Sequence, residues 1–236
     1  MSLTLQTLTH TSLTALASAS LIVLGIAPVT AEAQMRSPDS AVAVGPQKLV
    51  DKAASVVGEM ERDPRLRNLM HQAVGLYIVP EYGRAGFIIG GHGGAGVVVA
   101  HDTDGRWSAP VFVNSGGLSV GLQIGAAGGS VAYLLMSRRA VDAFRGSDKF
   151  ALSAHAGLAV VKYSDAVRAS TLTGDDAIMW SNIKGAYAGA TIAASDIGID
   201  GKRMKQYYGR EVPAGAVLSG AVRAPGAGAL DRALPR

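Results

Sequence analysis

The stretch that decides the fold is GGHGGAG, Gly90 to Gly96, set between the apolar runs Phe87-Ile88-Ile89 and Val97-Val98-Val99-Ala100. Gly91 to Gly96 spells G-x-G-x-x-G, the string of a dinucleotide-binding loop, and its His-Gly-Gly matches the oxyanion loop of some esterases. A dinucleotide loop works because its strand feeds a helix whose N-terminus holds the pyrophosphate. Here Gly96 is followed by Val97-Val98-Val99-Ala100-His101-Asp102, a β-branched run and then a turn, with no room for a helix before Asp104-Gly105. About 20 residues on, where a ribose-binding acid belongs, stands Val111-Phe112-Val113-Asn114. The stretch therefore reads as glycine-rich strand.

A second string, Gly117-Leu118-Ser119-Val120-Gly121, spells G-x-S-x-G. A nucleophile elbow needs a helix after the serine. The sequence continues Leu122-Gln123-Ile124-Gly125-Ala126-Ala127-Gly128-Gly129, and each glycine costs a helix ~1 kcal/mol relative to alanine. The downstream triad partners would be His155 with Asp142 or Asp148. Serine hydrolysis on Ser119 stays open as an alternative to a non-enzymatic domain. His92 and His101 read as polar hairpin positions, and the five histidines show no metal-ligand spacing.

The glycines need another reason. Gly86, Gly90, Gly94 and Gly96 are separated by even numbers of residues, so an unbulged strand places them on one face beside Phe87, Ile89 and Val97. Such a smooth face suits an acyl chain; tight curvature of a barrel wall is the other reading.

Outward from this centre, residues 75 to 130 hold 15 of the chain's 30 glycines. Short apolar runs (Leu76–Val79, Val97–Ala100, Val111–Val113, Leu118–Ile124, Val131–Met136) alternate with turn signals at Glu81-Tyr82-Gly83, Asp102–Gly105 and Asn114-Ser115-Gly116-Gly117. Before them, Leu49, Ala53, Val56, Val57 and Met60 recur at helical spacing over Gln47–Glu61, and Asp63-Pro64 opens a second short helix. Ser137 caps another over Arg138–Phe144, strands follow within Phe150–Tyr163 and Ala177–Ile199, and a last helix covers Lys202–Tyr208 before Gly209. The fold class is α+β: a Gly-rich antiparallel sheet or barrel-like core flanked by N-terminal and C-terminal helices.

The 236-residue chain has no cysteine, which excludes disulfides, thiolate metal sites and a lipobox anchor. Residues 1–33 read as a signal peptide: Leu13–Val29 is apolar or small, and Ala31-Glu32-Ala33 is an A-x-A cleavage site. The apolar stretch falls short of the ~20 residues of a membrane span, and Pro28 would break a helix. Residues 34–46 read as a linker, 47–220 as the domain and 221–236 as a disordered basic tail. Without the leader the chain has 22 bases against 17 acids, a net +5. From Gly201 onward there are seven bases and two acids, so the tail carries that excess. On an exported protein this suggests anionic lipid or another polyanion.

Six blocks carry a resemblance. Gly75–Pro80, Arg84–Gly91, Trp107-Ser108-Ala109-Pro110 and Gly121-Leu122-Gln123-Ile124-Gly125, then Lys184–Gly189 with Tyr207–Val212, resemble the SYLF lipid-binding domain in order and spacing over roughly Lys48 to Gly220. The resemblance implies a non-enzymatic phospholipid-binding domain, of the kind that stands alone and is exported in bacteria. Eukaryotic members bind phosphoinositides and some bind actin; neither specificity is carried over, and an actin partner is not expected for an exported chain. The family's Gly-Pro-x-Gly-Arg stretch is replaced by Leu158-Ala159-Val160-Val161-Lys162, so no head-group contact is assigned there.

On this reading the head group meets Arg84, Lys184, Lys202, Arg203 and Lys205, with Trp107, Phe87, Gly90 and Gly94 toward the apolar part. Lys48 and Lys52, one turn apart on the first helix, could lie at a membrane surface, and the tail arginines Arg223, Arg232 and Arg236 compete for the same role. The expected partner is anionic phospholipid or a membrane surface, in the periplasm or outside the cell. No cofactor, metal or nucleic acid is expected, and oligomeric state is open. A structural envelope protein whose tail holds anionic polymer is the remaining alternative.

Overall fold

A computed structural model describes residues 44–86, 89–120, 125–146, 149–152, 158–164, 174–185, 194–224 and 226–236. The leader and most of the linker therefore lie outside the described residues, as do Phe87, Asp148 and His155.

Four long strands, β1 (Gly75–Gly86), β2 (Ile89–Ala100), β3 (Val111–Val120) and β4 (Gly125–Leu135), form the centre of the sheet. Five short ones join them: β5 (Phe150–Leu152), β6 (Val160–Lys162), β7 (Ala177–Ser181), β8 (Lys184–Gly185) and β9 (Ala194–Ile199). The order is β5-β9-β3-β2-β1-β4-β7-β6, with β8 beside β4. Among the described residues every strand pairing is antiparallel except β6 with β7. The result is the α+β, barrel-like sheet expected, with helices at both ends.

The central strands are longer than their apolar runs because two apparent turns lie within them. Glu81-Tyr82-Gly83 is inside β1, and Asn114-Ser115-Gly116-Gly117 is inside β3. The first is a β-bulge. Against β2, Ile78 faces Val97 while Gly83 faces Gly93; against β4, Val79 faces Val131 while Tyr82 faces Gly129. β1 thus carries one extra residue relative to both neighbours. Pro80 is the cause: it has no N–H for a ladder, and a proline inside a central strand needs a bulge. Its carbonyl is satisfied by the Ser130 hydroxyl, which donates to it at 2.9 Å.

The even spacing of Gly86, Gly90, Gly94 and Gly96 does not describe one strand. Gly86 ends β1 and stands opposite Gly90 on β2. Gly94 and Gly96 are needed for close approach of backbone rather than for a groove. A Cβ on Gly94 would lie 2.6 Å from the Glu81 carbonyl oxygen, and one on Gly96 would lie 2.6 Å from that of Ile78. Close approach of the β1 backbone requires glycine at these two positions, in place of the acyl groove read at Gly94.

At the other end of the strands Leu76–Val79, Val97–Ala100, Val111–Val113 and Val131–Leu135 are buried without alternation, as expected where both faces of a sheet are covered. Tyr77 stacks on Tyr133 at 5.6 Å and meets Phe144 at 5.3 Å. Helix α1 (Pro46–Met60) buries the predicted stripe and lies against β1 and β2. Helix α2 (Pro64–Gln72) starts at Asp63, whose carboxylate accepts from the Arg65 and Leu66 amides. α3 (Arg138–Asp142) starts at Ser137 in the same way. α4 (Gly201–Tyr208) is capped by Asp200 and ends at Gly209, and α5 (Ala214–Leu218) follows.

The tail is a correction. Residues 226–236, expected to be disordered, carry helix α6 (Gly228–Ala233), which lies against α1. Leu230 within this helix and Leu234 just after it are buried. The Gln47 side-chain amide donates to the Gly226 carbonyl at 3.0 Å, and the Trp107 indole N–H donates to that of Pro235 at 2.7 Å. Two leucines and two polar contacts fix a segment whose composition alone reads as solvated.

Candidate functional site

The sequence-predicted cations fall on three elements, Arg84 and Lys184 on the two strands flanking β4 and Lys202, Arg203 and Lys205 on α4. Arg84 stands on β1 at a register position opposite His92 of β2 and Ala127 of β4, and Lys184 on β8 opposite Gly128 of β4. Lys202 is exposed on α4. Lys205, also exposed, reaches Glu211 at 3.2 Å. Lys48 is exposed, whereas Lys52 pairs with Glu81 at 2.5 Å. Gly90 is opposite Ser119.

Arg203 is a further correction. It is 6% exposed. Its guanidinium binds the Asp200 carboxylate and donates to Asn114 Oδ1 at 3.0 Å and to the Val44 carbonyl at 3.3 Å. Asn114 Nδ2 in turn donates to Asp200 at 2.9 Å. The group ties the start of α4 to β3, so Arg203 is not a head-group ligand. Its position three residues after the helix-capping Asp200 turns it inward.

Ser119 lies within β3, which continues to Val120, and the next described element is strand β4. The strand–turn–helix geometry of a nucleophile elbow is not formed at this serine.

Trp107 sits where the sheet meets the C-terminal segment. The loop from β2 to β3 closes on Asp102, whose Oδ1 accepts from the Asp104 and Arg106 amides, both at 2.9 Å. This pairs His101 with Trp107 across the turn, ring centroids 4.0 Å apart. Gly220, at φ +81°, passes so near the Asp102 carboxylate that a Cβ there would lie 2.7 Å from Oδ2. The chain thereby delivers Arg223 to the same place. A cleft of about 410 Å³ results, lined by His71, His101, Arg106, Trp107, Arg223, Asp231, Pro235 and Arg236 among others. Arg106 is held by Asp102 at 3.7 Å and by Asp104. Arg138 donates to the His101 carbonyl at 2.8 Å. Burial, aided by the Arg138 charge and opposed by Asp102, pushes the His101 imidazole below its ordinary range. Burial pushes the Asp231 carboxyl up, with Arg232 opposing.

Residues 116–236 match the family described as Ysc84, Las17-binding protein actin regulator. The chain belongs to the Ysc84 family. Its SYLF resemblance stands on that match. Protein YSC84 of Saccharomyces cerevisiae is 28% identical over 161 residues, 66% of this chain and 34% of that protein. LAS seventeen-binding protein 3 of the same organism is 28% identical over 162 residues, 67% and 35% of the two chains. SH3 domain-containing YSC84-like protein 1 of Homo sapiens is 28% identical over 139 residues, 58% and 41%. The chain thus spans between about a third and two fifths of the length of these relatives. No solved structure matches. The family's description names actin regulation, so the exclusion of actin drawn from the leader finds no support in these comparisons.

The matched region of this Ysc84 member includes a second buried acid. Asp176, 4% exposed, accepts from Arg139, from the Ser137 hydroxyl at 2.5 Å and from the Ala159 amide at 2.9 Å. Arg139 first, then Ser137 and Ala159, hold its carboxyl at about 2 against the opposing effect of burial. Because the folded value lies below the ordinary 3.8, this contribution is complete above that value and is lost as pH falls toward 2. Urea unfolding of wild type should show stability declining across this window. Asp176→Asn should be weaker at neutral pH and flatter between pH 4 and 2. An unchanged slope in the variant would remove Asp176 as its source.

The cleft residues His71, His101, Arg106, Asp231 and Pro235 are absent from the sequence-derived list. The usable signals were the Arg106-Trp107 pair directly after the Asp102–Gly105 turn and the spacing of Leu230 with Leu234.

Proposed function

We propose that this chain is an exported, non-enzymatic domain that binds anionic phospholipid at a membrane surface of the bacterial envelope. One observation carries the reading. From α4 to the end of the chain Lys202, Lys205, Arg210, Arg223, Arg232 and Arg236 are exposed, against exposed Glu211 and Asp231, while Arg203 is kept inside. The SYLF resemblance supports lipid as the partner, and the apolar leader with its A-x-A site supports export. Arg84 and Lys184 on the sheet add charge, and no described helix is long and apolar enough to cross the bilayer.

Each cation near an anionic surface contributes about 1 kcal/mol, and the attraction decays within a Debye length of ~10 Å at 0.1 M salt and ~3 Å at 1 M. The full chain should therefore sediment with phosphatidylglycerol vesicles at low salt, dissociate at 1 M salt and ignore phosphatidylcholine vesicles. Equal binding to both vesicle types would defeat the reading. The family description favours a second one, association with actin or an actin regulator; cosedimentation with filamentous actin but not with vesicles would select it.

A further inference from the structure

Two arginines of the C-terminal segment, Arg223 and Arg236, face the same cleft as His101 and Trp107. Both are exposed, and neither forms an ion pair among the described residues. Arg106, by contrast, already serves Asp102 and Asp104. Arg223 stands within electrostatic reach of Asp102, but that carboxylate also accepts two amides and meets Arg106. The cleft therefore holds two guanidinium groups with hydrogen-bonding capacity to spare. An aromatic pair lies beside them.

We infer that this cleft is a phosphate-binding site, in which Arg223 and Arg236 clamp the phosphate oxygens and His101, on the Trp107 ring, supplies a third donor. Guanidinium groups match phosphate geometry with paired N–H donors, which makes arginine the side chain suited to such a clamp. The site is positioned from three directions. Asp102 closes the β2–β3 turn, Gly220 turns the chain toward it, and the Trp107–Pro235 bond holds the last residues in place. About 410 Å³ is large for a bare phosphate and within the range of sites for larger molecules. The phosphate's source is then a phospholipid head group, and this part of the inference rests on the lipid reading above. Asp231 is the acid among the lining residues and opposes an anion. A bound phosphate should reverse the depression of His101, whose titratable and charged neighbours here are His71, Asp102, Arg106, Arg138, Arg223, Asp231 and Arg236.

The test uses the full chain with phosphatidylcholine vesicles containing phosphatidic acid, and separately with inorganic phosphate followed by NMR at His101 and the Trp107 indole. Arg223→Gln/Arg236→Gln should bind the vesicles roughly thirtyfold more weakly than wild type, two cation contributions together. Its melting temperature should change little, because neither side chain forms an ion pair among the described residues and Asp102 keeps Arg106 and two amides. Arg223→Lys/Arg236→Lys should recover part of the loss, and Asp231→Asn should bind several-fold more tightly. In wild type, phosphate should shift both NMR signals and raise the His101 pKa, and the double Gln variant should lose these responses. If wild type and the double Gln variant bind vesicles equally, the cleft is overturned and the lipid reading survives. If wild type binds no vesicle, the lipid reading fails. The cleft then stands on phosphate responses that the double Gln variant loses, and falls if they are missing.

Discussion

Gly96→Val should lower the stability of the domain by about 3 kcal/mol or more, a fall in Tm of roughly 6–12 °C. A Cβ at this position would lie 2.6 Å from the Ile78 carbonyl oxygen and 2.8 Å from Tyr77 Cε2. The first is backbone in the central strand β1, paired on both sides, so it cannot move without opening two ladders. The second belongs to a ring packed between Tyr133 and Phe144. Gly94→Val should behave alike, since its Cβ would meet the Glu81 carbonyl within the bulge. Gly58→Ala is the control. It lies exposed on α1 with nothing within 4 Å of a Cβ, and should gain stability by about 0.5–1 kcal/mol, because glycine is a poor helix residue. Thermal unfolding of the three variants checks this. Wild-type Tm in Gly96→Val would mean that the two strands do not approach as described.

Arg203→Gln should cost about 3–5 kcal/mol, since removing one member of a buried pair leaves the other uncompensated. Asp200 is 8% exposed and would retain only Asn114 and its own helix amide. Urea unfolding should show the loss, and Asp200→Asn/Arg203→Gln should recover part of it, because the orphaned charge is gone. A surface role for Arg203 gives the opposite pattern: wild-type stability with weakened vesicle binding. That pattern would restore Arg203 to the lipid-contacting set.

These two predictions fall on residues where sequence and structure diverge. The helices were legible because their signals are local: Asp63-Pro64, Ser137 and Gly209 act within one turn of the residues they cap or stop. The Asp102–Gly105 turn was legible for the same reason, its carboxylate binding amides two and four residues on. The failure of the dinucleotide string was legible too, because a β-branched run after Gly96 leaves no helix to hold a phosphate.

By itself, then, the sequence determined the α+β class, the glycine-rich strands and the helix ends. Tertiary structure decided the rest. Glu81-Tyr82-Gly83 carries turn residues, yet pairing on both sides makes it a bulge. Gly94 and Gly96 have no local reason to be glycine; the reason is the backbone of β1 lying across from them. Arg203 reads as one more cation in a basic run until Asn114, 89 residues earlier, meets it. The tail reads as disordered until Trp107, 128 residues before Pro235, and the α1 surface receive it. Caps and turns are satisfied by neighbours along the chain, whereas whether a charge is exposed or a glycine required depends on which distant segment arrives beside it.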